Sequence, residues 1–141
     1  MKNITDLIAR ILIAAIFIYE ATDSMIFFQE TKAKMSEFNI LWQQDILLVI
    51  SIVILLIGGI LILLGYRMGL GGFLILAYWV PVTFIAHSFW NYPTPEMRIE
   101  ALIFAKNLAI AGGVLLLMIN PSGKYSVKRL MPVTRIPKGE T

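Results

Sequence analysis

The sequence predicts an all-α integral membrane protein, built as a bundle of four transmembrane helices. The chain is 58% apolar and 15% charged, with a mean hydropathy of +0.79, whereas about a quarter of the residues of a soluble domain are charged. Such a composition cannot cover a solvated surface with polar side chains. Two long stretches, residues 46–66 and 68–95, contain no Asp, Glu, Lys or Arg, and each can cross a hydrocarbon core of roughly 30 Å as a helix.

The predicted spans are residues 7–28, 46–66, 69–90 and 101–119, which form one membrane domain over residues 1–119. The last span contains Lys106, but its aliphatic residues contribute about −3 to −6 kcal/mol to insertion against about +3 for a central lysine. The first span is the weakest, because it contains Arg10, Glu20 and Asp23. A cleaved signal peptide is the alternative there, although no small-x-small cleavage site follows its apolar stretch.

Charge asymmetry predicts that both termini are cytoplasmic and that the chain is a multi-pass protein of the cytoplasmic (inner) membrane. Basic residues favour the side of the termini by seven to three: Lys2, Arg67, Lys124, Lys128, Arg129, Arg135 and Lys138 against Lys32, Lys34 and Arg98. Residues 120–141 are then a basic cytoplasmic tail. In the first exterior loop, residues 29–45, apolar residues recur at helical spacing at Met35, Phe38, Leu41 and Trp42, which predicts an interfacial helix.

Small residues indicate where helices approach one another, since close packing holds helices together in lipid. Gly58 and Gly59 supply such a surface in the second span. The fourth span has a stripe every four residues, made of Ala101, Ala105, Ala109 and Gly113. Arg10, within about one turn of the inner boundary, is expected to extend its guanidinium to the lipid headgroups.

Four polar residues are predicted to lie at one depth in the exoplasmic half of the membrane: Glu20, His87, Lys106 and Asn107. An isolated charge at that depth is costly, so Glu20 is expected to pair with Lys106, with Asp23 as the competing partner of the lysine. Two interpretations stay open. The pair and Asn107 lock the first helix to the fourth, or the four residues form a polar pocket open to the outer leaflet.

Several classes of chemistry are excluded by residue content. The chain has no cysteine and one histidine, so disulfides, thiolate metal sites and bis-histidine haem ligation have no ligands here. No phosphate-binding glycine loop, serine elbow or metal-ligand spacing occurs, and we expect no metal, no covalently bound cofactor and no nucleic acid partner. Whether the isolated chain is an enzyme stays open, with no catalytic residue identified.

The order of these features resembles the DoxX family of small four-span membrane proteins. Residues 104–113, FAKNLAIAGG, are similar to that family's Phe-x-Lys-Asn-Leu-Ala and glycine pair. Residues 57–65 resemble its second-helix Gly-Gly segment, and residues 87–90, HSFW, its His-x-Phe-Trp. The first helix departs from the family, which often has His-Gly and a lysine where this chain has Glu20 and Ala21. The resemblance implies association with membrane redox systems, including quinone-coupled thiosulfate oxidation.

The functional hypothesis is an accessory or quinone-interacting subunit of a membrane redox system, with membrane or peripheral redox subunits as partners. Lys106, Asn107 and His87 would donate hydrogen bonds to a quinone, and Glu20 would accept a proton. One alternative is a small proton-coupled exporter acting as a dimer, that is, a homo-oligomer. Lys106 counts against it because the lysine would neutralise the acid that proton coupling needs. The other is a structural or assembly subunit without its own chemistry.

Overall fold

The computed structural model describes residues 2–120 and 123–130 of the chain. These residues contain six α-helices and one 3-10 turn, joined by loops. The helices are α1 (Lys2–Ile26), α2 (Phe28–Glu37), α3 (Gln44–Leu64), α4 (Met68–Ala86), α5 (Glu96–Ile119) and α6 (Val127–Leu130), and the 3-10 turn is Phe89–Asn91. These residues contain no strand. The all-α class is therefore confirmed. Residues 121–122 and 131–141 of the predicted tail lie outside the described residues.

Three helical segments of the described chain are long and apolar enough to cross a membrane: Gln44–Leu64, Met68–Asn91 and Glu96–Ile119. The first span qualifies only together with the next helix, as the pair Asn3–Ile26 and Phe28–Glu37, which bends by 97°. This agrees with the sequence, because the charged residues of α1 make it the least apolar of the four predicted spans. The number of spans is thus three, or four with the bent pair.

Each long helix of the bundle packs on the next long helix along the chain: α1 packs on α3, α3 on α4, and α4 on α5. Gly58 of α3 and Gly71 of α4 lie at the crossing of their helices. A Cβ atom on Gly58 would come within 2.6 Å of the Ile75 side chain and 3.0 Å of the Gly71 carbonyl oxygen. The prediction that Gly58 permits a close helix approach is confirmed.

The predicted small-residue stripe of the fourth span is confirmed as a packing surface only at Gly113, where a Cβ atom would lie 3.2 Å from the Ile13 side chain of α1. Ala105 and Ala109 are exposed, and no atom lies within 4 Å of a Cβ built on Gly112. The buried residues of α5 are Ala111, Val114 and Leu117, which are on average larger than the residues of the predicted stripe. In this bundle α5 rests mainly on one neighbour, α4, so much of its surface is left to lipid.

We call the end of the bundle that carries the start of α1, the α3–α4 turn and the end of α5 the terminal end. Arg10 is fully buried there. It donates hydrogen bonds to the Asp6 carboxylate (3.0 Å) and to the backbone carbonyls of Leu63 and Tyr125 (both 2.9 Å). The prediction that Arg10 reaches the headgroups is wrong, because its guanidinium makes three hydrogen bonds inside the protein, which join α1, α3 and the segment after α5.

Gly65 makes this arrangement of the terminal end sterically possible. It ends α3 in the left-handed conformation, with φ of 64°, which glycine adopts without strain. A Cβ atom at this position would lie 2.6 Å from the Nη1 atom of Arg10. The segment after α5 is held by the same cluster, since the Gly123 N–H donates to Asp6 (3.0 Å) and the Lys124 N–H to Asn3 (3.1 Å).

The opposite end, which we call the loop end, carries the end of α1, the start of α3, the end of α4 and the start of α5. Here α2 turns by 97° from α1, which confirms a helix in the first loop. This helix ends at Glu37, before three of the four apolar residues on which the prediction rested, and its interfacial placement stays a prediction. Met35 packs against the hydrophobic core. Leu41 and Trp42, predicted to share its apolar face, are instead 70% and 74% exposed. An ion pair between Lys32 and Asp45 (2.7 Å) links α2 to α3.

Candidate functional site

A cavity of about 680 Å³ lies at the loop end, between α1, α3 and α4, with α2 beside it. Its apolar wall includes Met35 of α2 and Leu48 of α3. On α4 the wall is formed by Ala77, Pro81 and Ile85, which are exposed and recur every four residues along one face of the helix. The cavity therefore opens sideways, on the face of α4 that lipid chains would cover. We call it the loop-end cavity.

Glu20 brings a carboxyl group to the loop-end cavity from α1. The neighbouring positions Phe17 and Ala21 are fully buried, so this stretch of α1 is fixed against the core and Glu20 is held, half-buried, at the cavity wall. Ser24, one turn further along the same face, also lines the cavity. The ionisable side chains close enough to interact electrostatically with Glu20 are those of Asp23, Lys34 and His87.

His87 lines the cavity from the end of α4 and is paired with Glu100 of α5. The Nδ1 atom of His87 lies 2.8 Å from a Glu100 carboxylate oxygen, and both side chains are about a quarter exposed, at 27% and 23%. A carboxylate can only accept, so Nδ1 carries the hydrogen, and in the neutral ring the Nε2 atom is left as an acceptor. The Glu100 contact thus fixes the tautomer of His87.

Aromatic rings hold this part of the structure together. Phe104 of α5 packs edge to face against Phe84 (5.1 Å between ring centroids), Phe89 (5.4 Å) and Trp90 (5.9 Å). Such contacts each contribute about 0.5–1.5 kcal/mol beyond the area buried. They join the FAKNLA and HSFW motifs of the sequence, and so keep the start of α5, with Glu100, beside His87.

The structure separates Lys106 and Asn107 from the other predicted site residues. Lys106 is exposed, and neither residue lines the loop-end cavity. In residues 2–120 and 123–130 the ion pairs are Arg10–Asp6, Lys32–Asp45 and His87–Glu100, so the expected Glu20–Lys106 pair is wrong. The physical reason is topological, since α5 packs chiefly on α4 and Glu20 faces the cavity between α1, α3 and α4.

Asn107 serves the fold through its backbone. Its carbonyl oxygen accepts a hydrogen bond from the Trp79 indole N–H at 3.1 Å, and the Trp79 ring packs edge to face on Phe17 at 5.1 Å. Trp79 therefore packs α4 against both α1 and α5. Asp23, the competing partner of Lys106, lies in no ion pair of the described chain either.

Several polar residues of the loop-end cavity had no signal in the sequence. Lys34 and Glu37 come from α2, Tyr78 from α4 and Glu100 from α5. The contact between His87 and Glu100 depends on the path of the connecting loop, which no spacing rule predicts. The described residues hold no group of three or more His, Cys, Asp or Glu side chains that could bind a metal ion.

Comparisons with known proteins give two matches. The DoxX family matches residues 5–88, more than half of the chain. The inner membrane protein YqjF of Escherichia coli (strain K12) is 30% identical over 134 residues, which cover 93% of this chain and 97% of that protein. No solved structure gives a significant match to the chain.

Proposed function

The chain belongs to the DoxX family, and from that premise we propose that it binds a lipid-soluble ligand with a quinone-type head group in the loop-end cavity. It is a multi-pass protein of the inner membrane. In this proposal it works as an accessory subunit of a membrane redox system. The predicted site residues that take part are Glu20 and His87.

The observation that carries the proposal is the combination of a lipid-facing apolar wall with polar groups inside one cavity. Ala77, Pro81 and Ile85 line the cavity and are exposed on one face of α4, which gives an apolar molecule a route from the bilayer. Glu20 and the His87–Glu100 pair then meet its head group. A volume of about 680 Å³ lies within the range of about 300–1,000 Å³ typical of small-molecule sites.

The chain's own residues supply binding and proton transfer in this proposal, and not electron transfer. With no cysteine and one histidine, the sequence has no ligand set for an iron-sulfur centre or a bis-histidine haem. Electrons would therefore be exchanged between the ligand and a partner subunit. Glu20 would take a proton from the head group, and the His87–Glu100 pair, about a quarter exposed at the loop end, would pass it outwards.

Thermal unfolding of the purified protein in detergent tests this function. Ubiquinone-1, supplied in its oxidised and its reduced form, should stabilise the wild type, by about 2.7 kcal/mol at a hundredfold excess over Kd. The stabilisation should be lost in the double variant Glu20→Ala, His87→Ala. It should persist in the matched control Lys106→Met, because Lys106 is exposed away from the cavity. No stabilisation by either form, or equal loss in the control, would contradict the proposal.

The proton-coupled exporter is the second candidate, and one observation favours it. Lys106 counted against an exporter because it would neutralise Glu20, yet Lys106 is exposed and unpaired with it. Proteoliposomes separate the two functions. An exporter should release protons when a lipophilic cation such as tetraphenylphosphonium is added, in a manner abolished by Glu20→Gln, whereas a quinone-binding subunit should not.

A further inference from the structure

We propose that the loop-end cavity selects its ligand by hydrogen-bond donation. A head group with hydroxyl donors, such as a hydroquinone, binds in preference to an acceptor-only carbonyl head group such as the corresponding quinone. This inference rests on the proposed function, since it concerns the same cavity, and it is argued from the polar atoms that the cavity offers.

The first acceptor is created by Pro81. Proline has no backbone N–H, so the helical hydrogen bond that residue 81 would donate to the carbonyl of Ala77 is not made. Pro81 lies inside α4, and both Pro81 and Ala77 line the cavity. A carbonyl oxygen without its helical donor is costly to keep in an apolar surrounding, and a hydroxyl on the ligand would satisfy it.

The second and third acceptors are side chains. In the neutral imidazole whose Nδ1–H donates to Glu100 at 2.8 Å, the Nε2 atom of His87 is an acceptor. Glu20, when ionised, offers two carboxylate oxygens and no donor. An acceptor-only quinone carbonyl would meet these atoms without a hydrogen bond, whereas a hydroquinone hydroxyl can donate to each.

Donors in the cavity are fewer than acceptors. The hydroxyls of Thr31 and Ser51 already donate to the backbone carbonyls of Phe27 (2.9 Å) and Leu47 (2.8 Å). Lys34 is the lining residue that can only donate. Hydroxyls such as that of Tyr78 can donate or accept, so they do not discriminate between a hydroquinone and a quinone.

Charge adds to the same selection. The described lining residues include three carboxylates, those of Glu20, Glu37 and Glu100, and one lysine, Lys34. With His87 neutral this lining carries a formal charge of −2, which disfavours an anionic ligand. A neutral, donor-bearing head group meets neither repulsion nor unsatisfied acceptors.

Binding measurements on the full-length protein in lipid nanodiscs test the selection. Under argon, ubiquinol-1 should bind at least tenfold more tightly than ubiquinone-1. In Glu20→Gln the amide adds a donor that suits a quinone carbonyl, so the ratio should fall at least threefold. Pro81→Ala restores the N–H that pairs with Ala77 and should lower the ratio as well. The matched control Glu30→Gln removes an exposed carboxylate of α2 outside the cavity and should leave the ratio unchanged.

The outcomes distinguish this inference from the function on which it rests. Equal binding of the two forms to the wild type would overturn the selection by donors and leave quinone binding standing. Binding of neither form would overturn both. Tetraphenylphosphonium, a cation without donors, serves as the third probe: if it binds as tightly as ubiquinol-1, charge selects the ligand instead of hydrogen bonding, and the inference is wrong.

Discussion

Replacing Arg10 with methionine should destabilise the protein more than any other single change at the terminal end. Arg10 is fully buried and donates to Asp6, Leu63 and Tyr125 at 2.9–3.0 Å. Methionine has a similar length but no donors, so the Asp6 carboxylate loses its cation and two backbone carbonyls lose a partner.

The expected cost follows from these three bonds. Breaking one side of a buried ion pair costs about 3–5 kcal/mol in soluble proteins, and hydrogen-bond couplings measured within membranes are smaller, averaging about 0.6 kcal/mol each. Because Asp6 keeps the Gly123 N–H at 3.0 Å, part of its interaction survives. We therefore expect Arg10→Met to lower the free energy of unfolding by about 3 kcal/mol.

Unfolding in mixed micelles, driven by added dodecyl sulfate and followed by far-ultraviolet circular dichroism, measures this loss. Arg67→Met is the matched control, since Arg67 is exposed and its guanidinium lies 6.0 Å from the centre of the Tyr66 ring; it should change stability by less than about 0.5 kcal/mol. An Arg10→Met variant as stable as this control would refute the reasoning that the guanidinium joins three segments.

Three further predictions concern packing, pairing and orientation. Gly58→Val should destabilise strongly, because its Cβ would meet Ile75 at 2.6 Å, while Gly112→Val, where the space is open, should be nearly neutral by the same unfolding measurement; equal effects would contradict the crossing. In a double-mutant cycle, the effects of Glu20→Gln and Lys106→Met on the free energy of unfolding should add within about 0.5 kcal/mol. A larger coupling energy would show that the two side chains interact, contrary to the structure. A cysteine at Arg98 should react with an impermeant thiol reagent in intact cells if the loop end is exterior, and reaction only after permeabilisation would reverse the orientation.

Much of the fold was predictable because membrane insertion leaves a strong signal in sequence. The charge-free stretches predicted α3 and α4, and Gly58 predicted a close helix approach on α3, since small residues let helices pack closely in lipid. The same rule failed for Ala105 and Ala109, because it identifies a surface that permits close approach and not the neighbour that makes it. The prediction for Arg10 was wrong for a related reason. A basic residue near a helix end can extend to the water or bind an acceptor inside the protein, and the sequence does not distinguish the two.

The candidate site was predictable only in part. The sequence predicts how deep a residue lies in the membrane, but it does not predict which side of the bundle the residue faces. Glu20 and His87 were placed at one depth and do share the cavity, whereas Lys106 was placed at the same depth and lies on another face. Glu100 was missed, since its contact with His87 bridges a loop of irregular path. Whether Glu20 and His87 bind a ligand stays a prediction.

Photoaffinity labelling tests most directly the central claim, that a lipid-soluble ligand occupies the loop-end cavity. An azido derivative of ubiquinone-1 would be irradiated with the protein in nanodiscs, and the labelled positions mapped by mass spectrometry of the cleaved chain. The account predicts labelling concentrated on α4 between Ala77 and His87 and on α2 near Met35, which line the cavity, and removed by excess unlabelled ligand. Labelling spread over the lipid-exposed face of α5, or unaffected by competitor, would contradict it.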